Sequence, residues 1–202
     1  NEAGNVLRQR GHREQALQSY ARARNFLDLV DEHRKSALES VISTNEARVF
    51  RDQGRYSEAR RRLEEAVRRA PGDVDALHSL ALLHLQLNEH QLARTCVDRA
   101  LANPDVALEP LKHARLLQTR GMAWAGAGQL AEALEDLSSA LDVAPEEAPE
   151  LVTHICVSIA MMAPGSTHAV MERAKARLVA VLRGDVQHAA SRGQRSLHAT
   201  VL

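Results

Sequence analysis

The chain has 202 residues, 26 of them basic and 26 acidic, for a formal net charge of zero. That balance argues against a general nucleic-acid binder and against a polybasic membrane anchor. Hydrophobic residues reach 45% and aromatics only 2%, so any core is built mainly from 33 alanines and 27 leucines, both strong helix formers. An all-α protein is expected. No apolar run approaches the roughly 18 residues that a membrane span needs. Cys96 and Cys156, the two cysteines, make neither a disulfide framework nor a zinc motif. With no signal pattern at the start, a reducing, cytoplasmic setting is expected.

The elements follow from an internal repeat. Gly11, Gly54, Asn88 and Gly128 act as anchors. Five and twelve places after each stands alanine: Ala16 and Ala23, Ala59 and Ala66, Ala93 and Ala100, Ala133 and Ala140. Seven places before each stands a small residue: Gly4, Ala47, Ala81 and Gly121. Four before come Leu7, Phe50, His84 and Trp124, mostly large. This is the pattern of a helical hairpin. Small residues let two antiparallel helices approach, and large ones a turn away fill the space between them. The anchor ends the first helix in a left-handed conformation, and Pro71, Pro104 and Pro145 stop the second.

The first hairpin covers residues 1–30. The second covers 31–72, where 31–53 holds neither Gly nor Pro and predicts one helix of about six turns. Asp31 is its expected N-cap. The third covers 73–104. The fourth covers 105–146 and is expected to open with a continuous helix over 106–126. Residues 147–183 read as a degenerate capping hairpin: a helix over 150–162, a turn at Ala163-Pro164-Gly165, and a second helix capped by Ser166. Residues 184–202 read as a mobile tail or short capping helix. Repeat 1 lacks its opening turn and the chain begins at Asn1, so further residues upstream are expected.

Patterns that carry chemistry are poor. The ten histidines form no His-Glu-x-x-His motif. The Gly126-Ala127-Gly128 run ends a helix instead of opening one, the wrong context for a phosphate loop. Ser138-Ser139 has no base nearby in sequence. No enzyme, cofactor or metal site is expected. Arg60-Arg61-Arg62 and Arg68-Arg69 interleave with Glu58, Glu64 and Glu65 at i,i+4 spacing, which reads as a solvated helix face.

The segments GNVLRQRGHREQALQSYARA, EARVFRDQGRYSEARRRLEEAVRRAP, LALLHLQLNEHQLARTCVDRALANP and RGMAWAGAGQLAEALEDLSSALDVAP resemble the tetratricopeptide repeat (TPR) family. The resemblance covers most of residues 1–145, with Asn88 and His84 departing from the usual glycine and aromatic. It implies a right-handed α-solenoid of helix-turn-helix hairpins with a C-terminal capping hairpin. The long repeats are similar to those of signalling scaffolds and bacterial signal-transduction regulators. The implied function is a non-enzymatic module that binds a peptide or partner protein in a concave groove lined by the first helix of each repeat. The alternative is a sensor or regulatory segment of a larger signalling or transcription-regulating protein. The family's groove slots fall on Asn5, Arg8, Gln9, Thr44, Asn45, Arg48, Arg51, Asp75, His78, Leu82, Gln86, Arg115, Gln118, Thr119 and Met122. The family's carboxylate clamp for acidic chaperone tails is matched only at Asn5 and Asn45. Asn1, Asp75 and Ser79 occupy the slots that need cations, and Asp75 would repel such a tail. The expected partner is a protein or peptide, with no nucleic acid and no membrane.

Overall fold

The computed structural model describes residues 2–162, 169–180 and 183, apart from the side chains of Glu32 and His33. Its helices are α1 (Glu2–Gln9), α2 (Arg13–Asn25), α3 (Glu32–Asp52), α4 (Tyr56–Arg69), α5 (Val74–Gln86), α6 (His90–Leu101), α7 (Pro110–Gly126), α8 (Leu130–Val143) and α9 (Pro149–Met162). Residues 169–180 form a further helix, α10. No strand occurs among the described residues, and the protein is all-α. The expected turn at 163–165, the Ser166 cap and the tail at 184–202 lie outside the described residues. Two compact units result: residues 1–108 with α1 to α6, and residues 109–202 with α7 to α10.

The first four hairpins turn by the same hydrogen-bond closure. Gly11, Gly54 and Gly128 have φ of 81°, 76° and 80°, and Asn88 takes 58°. That left-handed step brings the next N–H back onto the carbonyl five residues earlier. His12 donates to Leu7, Arg55 to Phe50, Glu89 to His84 and Gln129 to Trp124, all at 2.8–2.9 Å. The large residue four before each anchor is therefore the one whose carbonyl closes the helix end. In the second and third hairpins its side chain also meets the residue after the anchor. The Arg55 guanidinium lies over the Phe50 ring, and His84 Nδ1 lies 2.6 Å from Glu89 Oε2. In the third hairpin Asn88 tolerates the left-handed φ as glycine does, and Glu89 gives the buried His84 a polar partner.

The small residues sit where the helices touch. Ala16, Ala59, Ala93 and Ala133 are fully buried. A Cβ on Gly4 would lie 2.4 Å from the Tyr20 ring. One on Gly121 would lie 2.9 Å from Leu137 Cγ and 3.1 Å from the Ala133 carbonyl oxygen. In both cases glycine is required by close approach, not by backbone conformation.

α3 is continuous, as its freedom from Gly and Pro predicts. Its extra turns bind the next element. Ser36 donates to the Arg69 carbonyl at 3.1 Å, and Ser40 donates to Asp73 Oδ2 at 2.6 Å. Asp73 in turn caps α5, accepting from the Ala76 N–H at 3.1 Å. Asp31 does not cap α3 with its side chain; its backbone carbonyl takes the Arg34 and Lys35 N–H groups instead. The expected helix over 106–126 is broken. Pro110 has no N–H to continue a helix and holds Glu109 near φ −116°, ψ 83°. Residues Pro104–Leu108 form a 3-10 turn, and α7 starts with Pro110 in its first turn.

Two slots mirrored about the anchor, eight before and eight after, are filled differently in the second, third and fourth hairpins. In the second hairpin they are Glu46 and Arg62, 3.1 Å apart. In the fourth they are Arg120 and Asp136, joined by two hydrogen bonds of 2.7 Å with the charges exchanged between helices. In the third they are Leu80 and Cys96, both buried. Glu46 and Asp136 are buried carboxylates, and arginines offset their desolvation: Arg62 and Arg24 at Glu46, Arg120 at Asp136.

Arg120→Asp alone brings two acids together across α7 and α8 and is expected to cost about 2–4 kcal/mol. Arg120→Asp with Asp136→Arg restores the polarity of the Glu46–Arg62 slot and should recover most of that loss, read from denaturant midpoints. A double variant no more stable than the single one would show that the slots are not equivalent. Glu89 supplies a pH test. Hydrogen bonds from Arg60 first, then from His84, hold its carboxyl below the usual carboxylate value. A depressed folded-state pKa gives stability that is present above the unfolded value and lost as pH falls through the folded one. The margin of the native chain over Glu89→Gln should therefore be full near neutrality and close at acid pH below the ordinary glutamate range. A margin that widens on acidification would contradict this reading.

Candidate functional site

The first helices of the three hairpins in residues 1–108 carry a connected polar face. Helical spacing puts Val41, Asn45 and Arg48 on one side of α3, while α3 packs against α5. Arg48 Nε donates to Ser79 Oγ on α5 at 3.1 Å, and its Nη1 donates to Asn45 Oδ1 at 3.4 Å. Asp75 Oδ1 lies 4.0 Å from Arg48 Nη2. Arg8 of α1 reaches Asp52 of α3 at 3.0 Å, and Arg51 approaches the same carboxylate at 3.6 Å. Asn5 accepts a 2.7 Å hydrogen bond from the Tyr20 hydroxyl. Burial pushes the Arg48 pKa below the usual arginine value, Asp75 and Asp73 oppose that shift, and Arg8 and Arg51 add to it.

The expected groove residues separate into groups. Asn45 and Arg48 are brought into contact, with Asn45 only 3% exposed and acting through the guanidinium it holds. Asn5 is engaged with Tyr20, and Arg51 with Asp52. Gln9 and Gln86 are exposed, and His78 and Leu82 are half-buried on α5. Thr44 is buried, and its hydroxyl has no hydrogen-bond partner among the described residues. On α7 of the second unit, Arg115 and Met122 are exposed and Gln118 is half-buried. Thr119 is buried and donates back to the Arg115 carbonyl at 2.8 Å. Sequence reasoning missed Val41, 42% exposed, seven residues before Arg48 and therefore on the same face. Its signal was available in that spacing, but α3 extends beyond the standard repeat and the family slots do not cover its first turns.

The arginine run on α4 is only partly a solvated face. Arg60 grips Glu89 with two contacts of 2.7 Å, joining the second hairpin to the turn of the third. Arg62 and Arg24 both reach the buried Glu46, at 3.1 and 3.0 Å. Of the three i,i+4 pairs expected, Glu65–Arg69 forms at 2.9 Å, whereas Glu58 turns to Arg55. Arg61 and Arg68 remain exposed. The i,i+4 rule sees only one helix, and the partners that decide Arg60 and Arg62 come from other elements.

No group of three or more His, Cys, Asp or Glu side chains is placed to hold a metal ion among the described residues. No described helix is long and apolar enough to cross a membrane. Cys96 and Cys156 are buried free thiols whose pKa burial pushes up.

No curated protein sequence matches this chain. Among solved structures, a chain of MamA from Desulfovibrio magneticus RS-1 is similar at 19% identity and a TM-score of 0.57, over 92% of this chain and 93% of that one. A MamA RS-1 double mutant is similar at 20% identity and a TM-score of 0.61, over 91% and 93%. BtubC (BKLC) from P. vanneervenii reaches a TM-score of 0.67 at 15% identity, over 94% of this chain and 78% of its own. At these identities the likeness is one of fold. Residues 44–110 match the family model of the tetratricopeptide repeat. Residues 44–110 thus carry tetratricopeptide repeat sequence, within the second and third hairpins, and the first and fourth hairpins turn with the same hydrogen-bond closure.

Proposed function

We propose that the chain is a non-enzymatic interaction module that holds a peptide or partner protein against the first helices of its hairpins. Tetratricopeptide repeats support a protein-interaction scaffold role in general. The observation that carries the finer reading is the contrast between the two helix sets. On α4, Arg60 and Arg62 are engaged with Glu89 and Glu46 inside the fold. On α3, Arg48 is fixed by Ser79 and Asn45 and shares a helix face with the exposed Val41, and the Asp75 carboxylate stands 4.0 Å away without a hydrogen bond. A side chain held in place on an open face is prepared to receive a partner at low entropic cost. The buried free thiols fit a reducing, cytoplasmic compartment, and the balanced charge fits a protein partner better than nucleic acid or a membrane surface.

The test compares the two faces. Arg48→Ala should weaken capture of partner proteins from a native lysate by more than about tenfold, equivalent to about 1.4 kcal/mol. Arg61→Ala with Arg68→Ala should leave capture nearly unchanged, because exposed charges contribute little. Arg60 and Arg62 are unsuitable controls, since changing them removes contacts of the fold. Equal melting temperatures must accompany both results. Loss of capture in the Arg61/Arg68 variant alone would move the site to the outer helices.

A further inference from the structure

The groove reading deepens at Arg48. We propose that Arg48 receives a single acidic side chain of an extended peptide whose apolar residue, about three positions away, lies on Val41. The inference rests on the groove reading.

A guanidinium carries five N–H donors in a planar fork. In Arg48, Nε is directed at Ser79 Oγ and one Nη1 proton at Asn45 Oδ1. Asp75, its nearest carboxylate, stands 4.0 Å from Nη2, beyond hydrogen-bond contact. The remaining Nη1 proton and both Nη2 protons have no acceptor in contact among the described residues. The side chain is 29% exposed, so these donors are open to a partner. Arg8 differs: it hydrogen-bonds Asp52 at 3.0 Å. Arg48 is a partly desolvated cation held in one orientation, with Asp75 at ion-pair distance but no carboxylate hydrogen-bonded to it. The two oxygens of a carboxylate match the two outer nitrogens of the fork.

The same surroundings limit the ligand to one charge. Asp75 lies beside Arg48, and Asp73 is within electrostatic reach. A second carboxylate placed next to the first meets those acids, so a run of acidic residues is disfavoured. Val41 sets the spacing. It precedes Arg48 by seven residues, about 10 Å along the helix axis. An extended chain covers that distance in about three residues at ~3.3 Å each. The expected ligand has one Asp or Glu and one apolar residue three positions apart, with uncharged residues around them.

The probe is a phage-displayed library of random dodecapeptides selected on the full chain, with enriched peptides then measured by fluorescence anisotropy. Enriched peptides should carry the acid and the apolar residue at that spacing. Changing the acid to its amide should weaken binding at least about tenfold. In Arg48→Ala that difference should vanish, and Arg48→Lys, which keeps the charge but loses the fork, should fall between. Asp75→Asn, which removes the competing carboxylate, should tighten binding severalfold and does not depend on Arg48→Ala remaining folded. An acid-to-amide loss undiminished in Arg48→Ala, or enrichment of uncharged peptides, overturns the inference. Val41→Glu separates the two levels. Peptides weakened by Val41→Glu but indifferent to Arg48→Ala overturn this inference and leave the groove reading standing. Peptides indifferent to both, or no enrichment over a blank surface, overturn both.

Discussion

Everything in this protein depends on how closely the two helices of a hairpin approach. Alanine at Ala16, Ala59, Ala93 and Ala133 is fully buried, and Gly4, Ala47, Ala81 and Gly121 are the buried small residues of the first helices. With so few aromatic side chains available, the core cannot be built from interlocked aromatics. Close backbone approach replaces bulk, and dispersion contacts between small residues provide the packing. Tyr20 shows the limit of that arrangement. Its ring fits only because Gly4 has no Cβ, and Asn5 satisfies its hydroxyl.

The approach is closed at one end by the turn and steadied at the middle by the mirrored slots. The same closure is made with glycine at three anchors and asparagine at the fourth. The same pair of slots is filled by an ion pair, by its reversal, or by Leu80 and Cys96. What is kept is geometry, and the chemistry is free to vary. That freedom extends between repeats, where Glu89 holds the buried His84 and also ties Arg60 of the preceding hairpin.

Much of the fold was legible because it is local and periodic. Glycine spacing located the turns, and the alanine offsets located the contacts. Three things escaped for definite reasons. Pro110 lies inside a stretch whose length suggests one helix, and its missing N–H sets the boundary four residues later. The Glu46–Arg62 and Arg120–Asp136 pairs require offsets to be compared on both sides of an anchor at once. Arg60 pairs with Glu89, 29 residues away, which no single-helix rule can anticipate. The candidate site was readable as a face, through Arg48 and Leu82. That Asn45 is buried and serves to hold the guanidinium depends on Ser79 arriving from the next hairpin.

The central claim is that helix approach at the alanine slots organises the rest, and a leucine scan tests it. Ala59→Leu and Ala133→Leu each add bulk at a fully buried contact and should cost on the order of 1–3 kcal/mol in stability. Ala131→Leu, on the exposed side of α8, should change stability little. Thermal unfolding of the three variants against the native chain reads this directly. Lowered melting temperatures at Ala59 and Ala133 alone agree with the account. Unchanged melting at those two positions would contradict it, since it would mean that the helices are not held together where the small residues stand.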